Sequence, residues 1–133
     1  MANPVFNSNG RRVRRKEIYD RGDILLVDVE GRGSEHRGKK YGVVISNNVG
    51  NRHGSILQVG LITSQHKNRL PTHCNLDTEF FGCKHSTFMA EQIKTIDYKN
   101  TDRVIEFMGK VSKEEMRNID RCIAIQLGLV KPR

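Results

Sequence analysis

The sequence predicts a mainly β domain with minor α content, a small, strongly bent antiparallel barrel closed by one C-terminal amphipathic helix. Three observations carry that expectation. Short apolar runs of strand length recur between clusters of Gly, Asn, Asp and Ser. An apolar stripe at helical spacing stands near the end of the chain, behind Ser112-Lys-Glu-Glu115, which has the spacing of a capping box. The length, 133 residues, suits one domain with one core.

Taken in order, residues 1–18 place five basic side chains among the six from Arg11 to Lys16 and read as a basic, flexible arm, with the folded domain spanning 19–133. Residues 24–29 are mostly apolar behind Arg21-Gly22-Asp23 and predict a buried first strand. After a charged loop, residues 41–46 make a second strand, 47–51 a turn rich in Asn, and 56–63 a third strand. Residues 69–76 alternate after Pro71; proline has no N–H to give to a ladder, so this fourth strand belongs at an edge. Phe80-Phe81-Gly82 suggests a turn or short helical piece. Residues 86–90 are followed by alternating residues 91–96, which leave one face wet, and 103–108 form a last short strand. Met116, Ile119, Ile123 and Leu127 then fall on one helical stripe that ends near Gly128. Many short strands and a single closing helix point to a barrel of the SH3-like kind.

Composition narrows the function. Lys and Arg number 23 against 15 Asp and Glu, a formal charge of +8, so the chain attracts polyanions, nucleic acid foremost. Aromatic residues make up only 6% with no Trp, which leaves Tyr19, Tyr41 and Phe88 as the candidates for stacking on bases. Cys74, Cys83 and Cys122 form no CxxC pair, so the expectation is no disulfide and a reduced, cytoplasmic setting. With His73 and His85 they fit no usual zinc spacing, and no metal or cofactor is expected. No run approaches the ~18 apolar residues that cross a bilayer.

The chemistry concentrates in residues 33–63, where a basic loop feeds two apolar runs. Polar side chains stand at strand ends, where loops meet a scaffold. The second run stops on Thr63-Ser64-Gln65-His66, a cluster of hydroxyl, amide and imidazole. These two rims are read as two sides of one site.

Arg21-Gly-Asp-Ile, Gly33-Ser-Glu-His, Val43-Val-Ile-Ser-Asn-Asn, Leu61-Ile-Thr-Ser, Leu70-Pro-Thr-His and Glu91-Gln-Ile-Lys-Thr-Ile-Asp97, in that order, resemble the PemK/MazF family of toxin endoribonucleases. The resemblance runs from about residue 20 to residue 129. It implies a homodimer of bent-barrel subunits of the PemK/CcdB-like kind, which cleaves single-stranded RNA without metal and is neutralised by a cognate antitoxin. The family usually carries Gly-Ser-Glu-Gln and then Arg-Pro before the second strand. Here Lys40 stands where the catalytic arginine would be, and Tyr41 replaces the proline. The family's catalytic threonine matches Thr63, and a glutamine that holds RNA matches Gln92. Other members use an arginine and an acid near Gln92; this chain has Met89 and Glu91 there, so that constellation is incomplete.

Metal-free cleavage requires 2′-hydroxyl attack on the adjacent phosphate, leaving a 2′,3′-cyclic phosphate and a free 5′-hydroxyl. A group must take the hydroxyl proton, another must neutralise the phosphorane, and another must protonate the leaving oxygen. Lys40 supplies the neutralising charge and, unlike arginine, can also give up a proton. Thr63 fixes the scissile phosphate with its hydroxyl. His36, four residues before Lys40, suits proton transfer, with a base contact in place of the family's glutamine as the alternative. RNA contacts are expected from Ser34, Glu35, Arg37, Lys39, Ser64, Gln65, His66, Pro71 and Gln92; Glu35 reads as a base-edge acceptor or loop anchor rather than a general base. An acidic, partly disordered antitoxin segment would suit the same cationic groove. Residues 43–45 and the closing helix are the apolar surfaces available to a dimer. The rival reading is a non-catalytic member of the fold, either a gyrase-poisoning toxin or a nucleic-acid-binding barrel.

Overall fold

The computed structural model describes residues 5–6, 10, 12–64, 70–80 and 85–132. Its centre is a six-stranded antiparallel sheet built from β3 (Asp23–Val29), β4 (Gly38–Val44), β5 (Ile56–Thr63), β6 (His73–Leu76), β7 (Ser86–Asp97) and β8 (Val104–Lys110). The strand order is β6-β7-β5-β4-β3-β8. A separate pair joins β1 (Val5–Phe6) to β2 (Arg12–Val13). Two helices complete the fold, α1 (Asn48–His53) and α2 (Lys113–Gln126). Among the described residues no helix is long and apolar enough to cross a membrane.

Both faces of the sheet are covered, because the strands carry apolar residues on both sides. Leu25, Val27, Val44, Leu57, Val59, Leu61 and Met89 form one core cluster, and Ile24, Val43, Ile62, Phe88 and Ala90 belong to another, closed by Ile119 and Cys122 of α2. The register shifts at Ile24/Leu25, Leu26/Val27 and Gly60/Leu61. Such irregularities bend strands, and here they curve the sheet around its core. Gly60 stands at one of them and leaves room for the Phe88 ring, from which a Cβ there would lie 2.2 Å.

The mainly β architecture, the edge position of β6 and the closing helix agree with the sequence, and β5 has the expected bounds. The capping box forms as well, with Glu115 N donating to Ser112 Oγ (3.1 Å) and Ser112 N to Glu115 Oε1 (2.9 Å).

Several elements differ from expectation. The turn at 47–51 is mostly the short helix α1, capped where the Asn47 side chain accepts from Gly50 N (2.7 Å). β4 starts at Gly38 rather than Tyr41, because ladder pairing to β3 needs backbone only and so carries through Lys39 and Lys40. Residues 86–97 are one strand, not two pieces. On α2, Leu127 is 61% exposed, since the helix has ended at Gln126, and Cys122 takes a buried place that the predicted stripe omitted. Tyr19 and Phe88 are buried and offer no face to a base, and Val43 and Val44 are spent on the monomer's own core. Residues 14–16, read as part of a flexible arm, lie along β8: Phe107 N donates to Arg14 O (2.7 Å) and Arg15 Nε to Ile105 O (3.0 Å). The piece expected at 80–82 falls outside the described residues except for Phe80, which is buried.

Candidate active site

β4 and β5 run antiparallel with Tyr41 opposite Ile62. One step further in that register, Lys40 and Thr63 come side by side at the end of the sheet. Directly opposed residues share a face, and a slip of either strand by one residue would turn its side chain to the other face. His36, Lys39, Lys40, Tyr41, Ile62, Thr63 and Ser64 line an open cavity of about 220 Å³ there. The two rims separated in sequence thus meet, and the cation, the hydroxyl and the imidazole share one space.

The loop that delivers His36 is held from several sides. At Gly31 the chain folds back so tightly that a Cβ would lie 2.5 Å from His36 O. Glu35 anchors the turn by accepting from Arg32 N (3.0 Å), while its own N donates to Arg32 O (3.0 Å). Two residues of β7 reach across: Gln92 Oε1 accepts from His36 N (3.1 Å) and Gln92 Nε2 donates to Ser34 O (3.0 Å). Lys94 Nζ donates to Glu30 O (2.7 Å) and stands 3.7 Å from Glu35 Oε1. The loop is preorganised by these bonds, so its exposed side chains pay little ordering entropy when a ligand arrives.

Behind Thr63 the sheet carries a polar row. Thr63 pairs with Thr87 and Thr87 with Asn75. Thr87 is fully buried and donates through Oγ1 to Asn75 Oδ1 (3.0 Å). Tyr41 packs edge-on against Phe80 with centroids 4.9 Å apart and stands on the cavity wall.

The expected site residues distribute unevenly. His36, Lys39, Lys40, Thr63 and Ser64 line the cavity; Ser34, Glu35 and Arg37 lie on the adjoining loop, exposed. Gln92 is next to that loop and spends its amide on it. Pro71 lines a different groove, which shares no residue with the first. Gln65 and His66 lie outside the described residues. The sequence reading missed Ile62 as a wall residue and missed Lys94 and Gly31 as loop supports. The only signal for Gly31 was the glycine itself.

Comparison with known proteins bears on the family and the fold. The PemK-like, MazF-like toxins of type II toxin–antitoxin systems match residues 20–127. "Endoribonuclease EndoA" of Bacillus subtilis (strain 168) is 35% identical over 116 residues, which are 85% of this chain and 97% of that protein. Among solved structures, MazF from Deinococcus radiodurans superposes with a TM-score of 0.72 at 18% identity, covering 85% of this chain and 99% of its own. An endoribonuclease in complex with its cognate antitoxin from a mycobacterial species gives a TM-score of 0.67 at 24% identity, covering 86% and 99%; these two likenesses speak for the fold. With a family match over residues 20–127 and a relative 35% identical over 85% of its length, the chain belongs to the PemK-like, MazF-like toxins of type II toxin–antitoxin systems.

Proposed function

We propose that this chain is a metal-independent endoribonuclease toxin that cleaves single-stranded RNA by attack of a 2′-hydroxyl on the adjacent phosphate, giving 2′,3′-cyclic phosphate and 5′-hydroxyl ends. The observation that carries the reading is the meeting of Lys40 and Thr63 in one open cavity beside His36. The Lys40 ammonium neutralises the charge that grows on the phosphorane oxygens, where a positioned cation gains most. The Thr63 hydroxyl donates to a phosphate oxygen and fixes the scissile group. His36 moves a proton, to the leaving 5′-oxygen or from the 2′-hydroxyl. Exposed loop groups at Ser34 to Lys39, with Ser64, read bases splayed from the strand and so confer sequence selectivity.

Two partners follow. An antitoxin segment of acidic composition would occupy the same cationic cavity, a reading supported by relatives solved with their antitoxins. A second copy of the chain would complete a homodimer. The test is incubation of the purified protein with RNA in EDTA, followed by end-group analysis. Cleavage with cyclic-phosphate ends supports the nuclease. Binding without cleavage supports the non-catalytic reading, which the replacement of arginine by Lys40 favours.

A further inference from the structure

Away from the cavity, β6 and α2 meet along an open groove of about 390 Å³, lined among others by Pro71, His73, Cys74, Arg121 and Cys122. Cys74 is half-buried on the edge strand, and Cys122 is 5% exposed on the helix. Neither is in a disulfide, and their side chains hydrogen-bond to each other across the seam. Cys122 closes a core cluster on its inner side and Cys74 packs against it, but both also line the groove, which is open to small solutes.

We propose that Cys74 and Cys122 form an oxidisable dithiol site that takes a peroxide as its reactant and closes into a disulfide stapling α2 to the edge strand β6. The hydrogen bond from Cys74 lowers the Cys122 thiol below its ordinary range against the opposing effect of burial, and the Arg121 charge adds to it. Cys122, which lines the groove beside Arg121, is taken as the attacking sulfur. Its thiolate attacks one peroxide oxygen, the O–O bond breaks, and the other oxygen leaves as hydroxide and takes a proton to become water. The Cys122 sulfenic acid is then attacked by the Cys74 sulfur; the S–O bond breaks, and that oxygen leaves as water with the Cys74 proton. The two thiols lose two hydrogens and one peroxide becomes two waters. With a second thiol in contact, oxidation stops at the disulfide instead of climbing to the sulfinic acid.

The test uses the full chain carrying Cys83→Ser, so that only the two thiols of the seam remain. After a few equivalents of hydrogen peroxide, quenching with catalase and alkylation, mass spectrometry is expected to find an unalkylated chain lighter by about 2 Da. Digestion should then yield one peptide joining Cys74 to Cys122, lost on treatment with dithiothreitol. Because the bond closes a long loop, the oxidised chain should melt at least about 5 °C higher. In a Cys74→Ser variant, dimedone should trap a sulfenic acid on Cys122. Stoichiometric alkylation of both thiols after peroxide, sulfinic acid without a link, or a link only between two chains would overturn the proposal. Should Cys74→Ser fail to fold, the peptide map of the Cys83→Ser chain decides alone.

Discussion

In the proposed reaction Lys40 presents one compact, rotatable charge where an arginine would present two parallel donors. A point charge neutralises a phosphorane but orients it less, so the expectation is a slower enzyme of the same kind. Lys40→Ala should lower single-turnover cleavage by at least about 100-fold, the scale of losing one preorganised donor to a developing oxyanion. Lys40→Arg should equal or exceed wild type; a large loss on that exchange would mean that lysine's ability to release a proton is itself used. His36 is tested through pH. An imidazole that transfers a proton puts a bend in the rate against pH, and His36→Gln should lose that bend and cleave at least about 10-fold slower. Equal rates from pH 5 to 8 would remove His36 from the chemistry.

At the scale of elements, the site depends on strands and loops being held against one another. Gln92 uses both ends of its amide on the loop carrying Ser34 and His36. Gln92→Ala should free that loop and raise KM about 5- to 20-fold, with a smaller effect on kcat, since ordering entropy of roughly 1–2 kcal/mol falls on binding. An unchanged KM would show that the strap is dispensable. The seam between residues 77–78 and α2 rests on Glu115, whose carboxylate accepts from Asp77 N (2.8 Å), Thr78 N (3.0 Å), Ser112 N (2.9 Å) and the Thr78 hydroxyl. Burial works to raise its pKa, but these hydrogen bonds win and hold it at about 2. A depressed carboxylate stabilises the fold above its unfolded value and loses that contribution as pH falls toward 2. Glu115→Gln should therefore cost about 1–2 kcal/mol at pH 7, discounted for its partial exposure, and flatten the decline of stability between about pH 4.5 and 2. A variant as stable as wild type at pH 7 would contradict this.

Over the whole molecule, what the sequence disclosed and what it hid divide by range. β5 was legible because Ile56–Thr63 is a mostly apolar run between turn residues, and α2 because its capping box and stripe are local. Lys40 and Thr63 could be placed together by resemblance, and the register of β4 with β5 supplies the physical reason. α1 was hidden because six residues are too few to show a helical period, and Gly50 within them reads as a turn. The grip of Gln92 on Ser34 and the meeting of Cys74 with Cys122 were hidden too, since each joins residues far apart in the chain and no local pattern encodes them. The basic run misled in the same way at residues 14–16. Its charge suggested a solvated arm, yet Lys16 Nζ lies 2.7 Å from Oδ2 of Asp23, a carboxylate only 1% exposed, while Lys110 stands 3.6 Å from the other oxygen. Burial lowers the Lys16 pKa, but the hydrogen bond and charge of Asp23 outweigh it and leave the group raised. That contribution is fully present below the ordinary lysine value, so at neutral pH the ion pair is intact. Removing the cation leaves the buried carboxylate half-compensated, and Lys16→Met should cost about 2–4 kcal/mol. Adding Asp23→Asn should recover much of the loss, because the charge in need of a partner is then gone. A Lys16→Met chain that unfolds at the wild-type denaturant midpoint would show that the arm contributes nothing to the barrel.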